Sequence, residues 1–220
     1  MTGTNRPADE PLRVVVSVGT DSHPFDRLVR ATEGWADTWS RLHQRPVDLW
    51  VQHGHSKPPT TGTAVSTVGR EELFERFAAA DVLVTQVGPG TILDANALGR
   101  RPIVVPRRHH LGEHVDDHQV TFGRFMHDQG GALLAMENHD LHALMTRMAE
   151  DRALGTIPGR ARSTAETAVR LEREVTDAIA AERPRGTTLR RLAAIVGNSR
   201  RLSRRRPLPP AQPPTNERKK

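Results

Sequence analysis

Residues 81–98 read Asp-Val-Leu-Val-Thr-Gln-Val-Gly-Pro-Gly-Thr-Ile-Leu-Asp-Ala-Asn-Ala-Leu. The apolar, β-branched segment at 82–84 predicts a strand, and the Gly88-Pro89-Gly90 sequence after it predicts a tight turn. From Thr91 onward, apolar residues recur at helical spacing, at positions 92, 95 and 98. The stretch therefore predicts a strand, a turn and the beginning of a helix.

This junction has two interpretations. In the first it binds a phosphate, because the first backbone N–H groups of a helix lack acceptors at the positive end of the helix dipole, and two glycines let an anion approach the backbone. In the second it is purely structural: Thr91 and Asp94 form a capping box, and the glycines only make the turn. The turn by itself does not separate the two.

Strand-like and helix-like segments alternate on both sides of this stretch. The first of them is almost continuously apolar, as expected for a central strand that is covered on both faces. Strands are predicted at Leu12–Val18, Val47–Val51, Ala64–Thr67, Ile103–Val105 and Leu133–Leu134, and helices at Phe25–Trp39, Glu71–Ala80 and Leu141–Met148. The sequence thus predicts an α/β fold, a Rossmann-like parallel sheet with helices on both faces.

Composition limits the classes of protein to consider. A chain of 220 residues is long enough for one domain with a sizeable core, and the absence of cysteine excludes disulfides, thiolate catalysis and cysteine metal sites. No apolar run reaches about 18 residues, and residues 1–11 lack the basic-then-apolar order of a signal peptide. We expect a cytoplasmic protein.

The charge is distributed unevenly along the chain. Residues 183–220 hold 12 of the 32 Lys and Arg residues and one of the 26 acidic residues, so residues 1–182 carry a net charge of −5. We therefore expect a disordered N-terminus at 1–11, a Rossmann-like domain at 12–182 that includes an amphipathic helix at Ala161–Ala181, and a basic Pro/Arg-rich tail at 183–220. Three roles suit the tail: a solvated disordered extension, a segment that binds an anionic membrane surface, and a segment that binds nucleic acid. The last role fits least well, because the rest of the chain is acidic.

Histidines are concentrated after position 106, at His109, His110, His114, His118 and His127. On a continuous helix, positions 110, 114 and 118 would share a face and could bind a metal together with Asp117 or Glu113. Pro106 and Gly112 instead predict a loop, and no standard metalloprotease spacing is present. The sequence therefore predicts no metal site.

Three sequence blocks together carry a family resemblance. Val84–Ile92, Arg101–Arg107 and Glu113–Gln119 resemble, in this order, the C-terminal, sugar-nucleotide-binding half of glycosyltransferase family 28. A fourth block, Val14–Thr20, fits the strand and glycine loop with which that half begins. The resemblance covers roughly residues 12–150 and is closest to the short forms that pair with a separate membrane-associated subunit.

The resemblance implies a function and a setting. The fold would be one half of a GT-B glycosyltransferase, and the chain would be the donor-binding subunit of an inverting enzyme. That enzyme moves a sugar from a nucleoside diphosphate, by default uridine diphosphate (UDP), to a lipid-linked or polysaccharide acceptor. A membrane-anchored companion subunit would supply the general base, and the chain would lie at the inner face of the cell membrane. No cofactor is expected besides the UDP-sugar donor.

The resemblance also implies roles for particular residues. Backbone N–H groups would hold the diphosphate at Gly19, Thr20, Gly88, Pro89, Gly90 and Thr91, although proline itself has no N–H. Asp94 would bind the ribose hydroxyls, and Asp117 and Gln119 would bind the sugar.

One position departs from the family pattern, because a basic residue is usual where this chain has Gln86. An amide can donate a hydrogen bond to a phosphate but brings no positive charge to the leaving group. Arg107 or Arg108 could supply that charge from the neighbouring loop. The departure also leaves open a second function, a non-catalytic nucleotide-sugar-binding or scaffold subunit.

Overall fold

A computed structural model of the chain describes residues 10–157. Most of the predicted N-terminal segment at 1–11, the predicted helix at Ala161–Ala181 and the basic tail at 183–220 lie outside the described residues. None of the helices within residues 10–157 is long and apolar enough to cross a membrane.

The described residues form a parallel sheet flanked by helices. The strands are β1 (Leu12–Ser17), β2 (Val47–Gln52), β3 (Thr63–Val65), β4 (Val82–Gln86), β5 (Ile103–Val105) and β6 (Leu133–Leu134). The helices are α1 (Asp26–His43), α2 (Arg70–Ala79), α3 (Pro89–Ala97), α4 (His118–Asp128) and α5 (Asn138–Glu150), and short 3-10 turns occur at His109–Leu111 and Arg152–Gly155. Every neighbouring pair of strands is parallel. The predicted α/β fold is confirmed.

The order of the strands indicates where a ligand cleft is expected, at the carboxyl ends of β1 and β4. The order is β3-β2-β1-β4-β5-β6, so the chain moves outward from β1 in one direction and then returns to continue from β4 in the other. Where the order reverses, the loops after β1 and β4 diverge at the carboxyl ends of the strands, which is where open α/β sheets bind ligands. Gly19 and Gly88 lie in these two loops.

Helices cover both faces because side chains alternate along each strand. Val14 and Val16 of β1 join a core cluster with α1 and α5, which includes the stacked rings of Trp35 and Trp39. Val15, between them, joins the opposite cluster, to which α2 contributes Phe77 and α3 contributes Ala95. The continuous apolar run of β1 therefore has the cause that the sequence predicted, burial on both faces.

The helix boundaries differ from the predicted ones, and the differences at α1 and α3 have a clear physical reason. Helix α1 continues for one turn beyond Trp39, because its buried apolar face ends at Trp39 while the exposed residues Arg41, Leu42 and His43 remain helical. Helix α3 begins at Pro89 and not at Thr91. Proline suits the first position of a helix, since its fixed φ is helical and the N–H that it lacks would have no partner there.

Candidate functional site

The side chain of Gln86, at the end of β4, lies between the two glycine loops of the cleft. A Cβ added at position 88 would overlap Gln86 Nε2, and a Cβ added at position 19 would lie 3.0 Å from the same atom. The two glycines therefore make room for an amide side chain as well as for the turns. Gln86 Nε2 has no hydrogen-bond acceptor within residues 10–157, so it is a free donor in the cleft.

A chain of hydrogen bonds fixes the orientation of Gln86. The buried Gln119 donates from Nε2 to Gln86 Oε1 over 2.9 Å, and its own Oε1 accepts from the backbone N–H of Arg107 over 3.0 Å. Because Gln86 Oε1 is occupied in this way, the NH₂ group turns toward the glycine loops. Both the amide oxygen and the amide nitrogen of Gln119 thus have partners within the protein. The structure therefore does not direct Gln119 at a sugar, although the sequence predicted that contact.

The beginning of α3 has free backbone donors. Gly88 is the N-cap and has no side chain to accept a hydrogen bond, and the bond from Ile92 N–H to the Gly88 carbonyl is the first of the helix. Within the described residues, the N–H groups of Gly90 and Thr91 have no acceptor. The capping box considered from the sequence is not formed, because Thr91 is not the N-cap and Asp94 is paired elsewhere.

Asp94 forms an ion pair with a residue of α2 that the sequence did not single out. Arg70 donates from Nη2 and Nε to the two carboxylate oxygens over 2.7 and 3.3 Å. The hydrogen bond and the charge of Asp94 raise the pKa of Arg70, although Arg70 is largely exposed. An exposed pair of this kind contributes little to stability and is easily exchanged for a ligand contact.

The loop after β1 differs from the prediction in one respect. Gly19 has a φ of +79°, and its N–H donates to Gln52 Oε1 over 3.2 Å, while Gln52 Nε2 donates back to the Gly19 carbonyl over 2.9 Å. Ser17 Oγ donates to the same Gln52 oxygen over 2.7 Å. The N–H of Gly19 is therefore occupied, and the exposed Thr20 is the predicted residue of this loop that faces solvent. The sequence did not single out Gln52, because its only signal was that a polar residue follows the predicted apolar strand Val47–Val51.

Arg107 does not occupy the predicted position. Its side chain is 0% exposed, and its guanidinium donates to the carbonyl of Val18 over 2.9 Å, of His23 over 2.6 Å and of Glu113 over 3.1 Å. The Cζ atom lies 4.7 Å from the ring centroid of Phe25. Burial lowers the pKa of Arg107, and the negative charges of Asp21 and Glu113 oppose that shift. Arg107 therefore joins the loops after β1 and β5 and is not available to a phosphate.

Arg108 is also engaged. Its Nη2 donates to Glu137 Oε1 over 2.8 Å and to the carbonyl of Met136, and its backbone N–H donates to Glu113 Oε2 over 3.0 Å. Glu113 in turn accepts from Arg27 over 2.9 Å. The positive charges of Arg107 and Arg108 are thus used within the fold, and neither replaces the charge that Gln86 lacks.

The loop after β5 brings acidic and imidazole groups together. Asp117 is exposed, and its Oδ1 accepts from the backbone N–H of His109 over 2.9 Å. His114 and His118 do converge, but with Asp116 between them, and not with His110 as helical spacing suggested. Burial and the nearby His118 lower the pKa of His114. Hydrogen bonds from His118 outweigh the opposing effect of burial and lower the pKa of Asp116.

Comparison with known proteins agrees with this architecture. The chain is 34% identical to the UDP-N-acetylglucosamine–N-acetylmuramyl-(pentapeptide) pyrophosphoryl-undecaprenol N-acetylglucosamine transferase of Rubrobacter xylanophilus over 85 residues. These 85 residues cover 39% of this chain and 24% of that protein. The protein of the same name from a Polaromonas species is 36% identical over 73 residues, which cover 33% of this chain and 18% of the relative. The chain thus spans about a quarter or less of the length of these relatives.

A solved structure supports the fold. The crystal structure of the calicheamicin glycosyltransferase CalG4 is similar with a TM-score of 0.50 at 18% sequence identity, over 81% of this chain and 46% of that chain. At this level of identity the similarity concerns the fold alone, and it confirms the expectation of a Rossmann-like half of a GT-B glycosyltransferase. The model of the glycosyltransferase family 28 C-terminal domain matches residues 13–153. The chain therefore belongs to glycosyltransferase family 28, of which it contains the C-terminal domain.

Proposed function

We propose that this chain is the donor-binding subunit of a glycosyltransferase that moves a sugar from a UDP-sugar to a lipid-linked or polysaccharide acceptor. The observation that carries the proposal is the group of free donors at the strand reversal: the N–H groups of Gly90 and Thr91, together with Gln86 Nε2. Three donors at the positive end of a helix dipole, in a family 28 domain, suit a diphosphate. The names of the matched relatives make UDP-N-acetylglucosamine and an undecaprenol-linked acceptor the first candidates.

The same geometry suggests how the donor is oriented. The diphosphate would lie on the beginning of α3, and Asp94, one turn further along the helix, would exchange Arg70 for the ribose hydroxyls. The exposed carboxylate of Asp117 would bind the sugar. Gln119 would act through Gln86, which it holds with the NH₂ group toward the phosphates.

The proposal includes a membrane-anchored companion subunit at the inner face of the cell membrane. Resemblance to the short two-subunit forms supports it, and this companion would carry the acceptor site and the general base.

One observation favours the second candidate, a non-catalytic nucleotide-sugar-binding subunit: Arg107 and Arg108 are both engaged within the fold, so neither offsets the missing charge at Gln86. Binding of UDP-sugar without any transfer in the presence of the companion would favour that candidate.

Replacing Asp94 tests the proposed donor site. We expect Asp94→Asn to weaken UDP binding by about 1.5–3 kcal/mol, roughly 10- to 100-fold, because a charged hydrogen bond to the ribose is lost. Its free energy of unfolding should change by no more than about 1 kcal/mol, since the partner Arg70 is exposed and Asp94 is only partly buried. Calorimetric titration with UDP measures the first quantity and urea denaturation the second.

Arg70→Ala is the matched control, since it breaks the same ion pair and leaves the carboxylate in place. We expect this variant to bind UDP at least as tightly as the unmodified chain. Equal affinity of Asp94→Asn and the unmodified chain would remove Asp94 from the site. An equal loss in both variants would show that the ion pair matters and not the carboxylate.

The basic tail provides a test of the membrane setting. We expect deletion of residues 183–220 to leave UDP binding unchanged, because the proposed donor site lies within the family 28 domain at 13–153. Binding to vesicles that contain phosphatidylserine should be lost, since each basic residue near an anionic surface contributes about 1 kcal/mol. Sedimentation with vesicles, with duplex DNA offered in competition, measures the preference. A preference of the intact chain for DNA would contradict the membrane assignment.

A further inference from the structure

A second cluster of polar side chains lies between β5 and the first residue of α4, next to the proposed sugar ligand Asp117 but made of other residues. His114, Asp116 and His118 each offer one ligand atom, and these atoms all lie within 4.8 Å of one another. The Nδ1 atoms of both histidines face the same oxygen, Asp116 Oδ1, from which His114 Nδ1 is 3.5 Å away. Two imidazole nitrogens thus converge on one carboxylate oxygen.

The spacing suits a metal ion. Ligands at about 2.0–2.2 Å from a tetrahedral metal lie roughly 3.4 Å from one another, close to the separation of His114 Nδ1 and Asp116 Oδ1. His114 Nδ1 is buried and makes no hydrogen bond within residues 10–157, so this ring nitrogen is in place for a ligand. The exposed fractions of Asp116 and His118, 39% and 30%, leave an open side for entry and for a water ligand.

The surroundings of His114 provide an independent observation. Its other ring nitrogen, Nε2, lies 3.5 Å from Asp21 Oδ2 on the loop after β1. Asp21 is itself held by the backbone N–H and Nδ1 of His23, over 2.8 and 2.7 Å. A carboxylate behind the distal nitrogen is the usual partner of a metal-bound histidine, because it fixes the tautomer and the ring orientation.

We propose that His114, Asp116 and His118 bind a divalent transition-metal ion such as Zn²⁺, with Asp21 orienting His114 from the neighbouring loop. Imidazole nitrogens combined with one carboxylate select such ions over Mg²⁺ or Ca²⁺, which prefer oxygen ligands alone. The metal replaces the contact between His118 and Asp116 and links the loops after β5 and β1. The site differs from the sequence expectation of no metal and does not depend on the proposed glycosyl transfer.

Cobalt provides the direct test, because tetrahedral Co²⁺ with histidine ligands absorbs visible light. The tag-free full-length chain, titrated with Co²⁺ near neutral pH, should show saturable absorption with one ion per chain, and added Zn²⁺ should abolish it. His114→Ala, His118→Ala and Asp116→Asn should each weaken binding by roughly 100-fold or more, and Asp21→Asn by about tenfold, as expected for an outer partner.

His110→Ala is the matched control, because His110 is an exposed histidine of the same loop outside the cluster. We expect it to bind Co²⁺ like the unmodified chain. Circular dichroism is the measurement that tests whether each variant is folded. If His114→Ala does not fold, His118→Ala and Asp116→Asn decide, since both side chains are partly exposed. Absence of saturable Co²⁺ binding, or binding that the ligand variants leave unchanged, would overturn the proposal.

Discussion

Arg107→Ala is expected to lower the free energy of unfolding by about 3 kcal/mol. The guanidinium holds three backbone carbonyls, and truncation leaves the buried carbonyls of Val18 and Glu113 and the partly buried carbonyl of His23 without this donor. Each buried acceptor without a partner costs about 1–3 kcal/mol, and the vacated volume adds a cavity. Relief of the buried charge offsets only part of this loss, because Asp21 and Glu113 lose a counter-charge at the same time.

Urea denaturation measures this change, and Arg124→Ala on the exposed face of α4 is the control, for which we expect no change beyond about 0.5 kcal/mol. The alternative from the sequence, Arg107 as a phosphate ligand, makes the opposite prediction. It requires a variant of normal stability whose affinity for UDP is lost. A stable Arg107→Ala protein would therefore show that the buried arrangement does not hold the loops.

The residues that could be recognised from the sequence are those whose pattern is local. Residues 82–91 contain a strand, a turn and a helix start within ten positions, and their order is visible without any knowledge of the sheet. The strand reversal next to Gly88 follows from the same alternation of strands and helices. Fold class and the place of the cleft could therefore be predicted.

The roles of Arg107 and Gln119 could not be predicted in this way. The carbonyls that Arg107 binds at Val18 and His23 are 89 and 84 positions away in the chain, and Gln119 and Gln86 are 33 positions apart. Such contacts depend on how the loops after β1, β4 and β5 meet in space. An arginine shortly after a strand has the same local sequence pattern whether its side chain is buried against carbonyls or directed at a ligand.

The histidine cluster shows a different limit. Helical spacing groups positions 110, 114 and 118, but a 3-10 turn and Gly112 at a φ of +69° interrupt any helix before His118. The irregular backbone brings His114 to Asp116 and His118 instead. Periodicity describes regular elements, and here the constellation is built by a loop. For this reason the combination that the structure brings together within residues 10–157 was absent from the sequence prediction.

Gly90→Asp is expected to affect stability and nucleotide binding in opposite directions. Position 90 is the second residue of α3, where a carboxylate interacts favourably with the helix dipole, so the free energy of unfolding should stay the same or rise by up to about 1 kcal/mol. A Cβ at this position meets no other atom within 4 Å. If the diphosphate lies on the Gly90 and Thr91 N–H groups, the new charge stands a few ångströms from it. Repulsion of about 3 kcal/mol then lowers the affinity for UDP by more than roughly 100-fold.

Two control variants separate the effect of the new charge from the effects of side-chain size and of position in the chain. Gly90→Asn has nearly the shape of the aspartate variant without its charge, so we expect a much smaller loss of UDP affinity. Asn138→Asp adds the same charge at the exposed beginning of α5, and it should leave UDP binding unchanged. Calorimetric titration of the three proteins with UDP gives the comparison. Because the aspartate is expected to preserve the fold, a Gly90→Asp protein that binds UDP normally would place the diphosphate away from the beginning of α3 and contradict the proposed donor site.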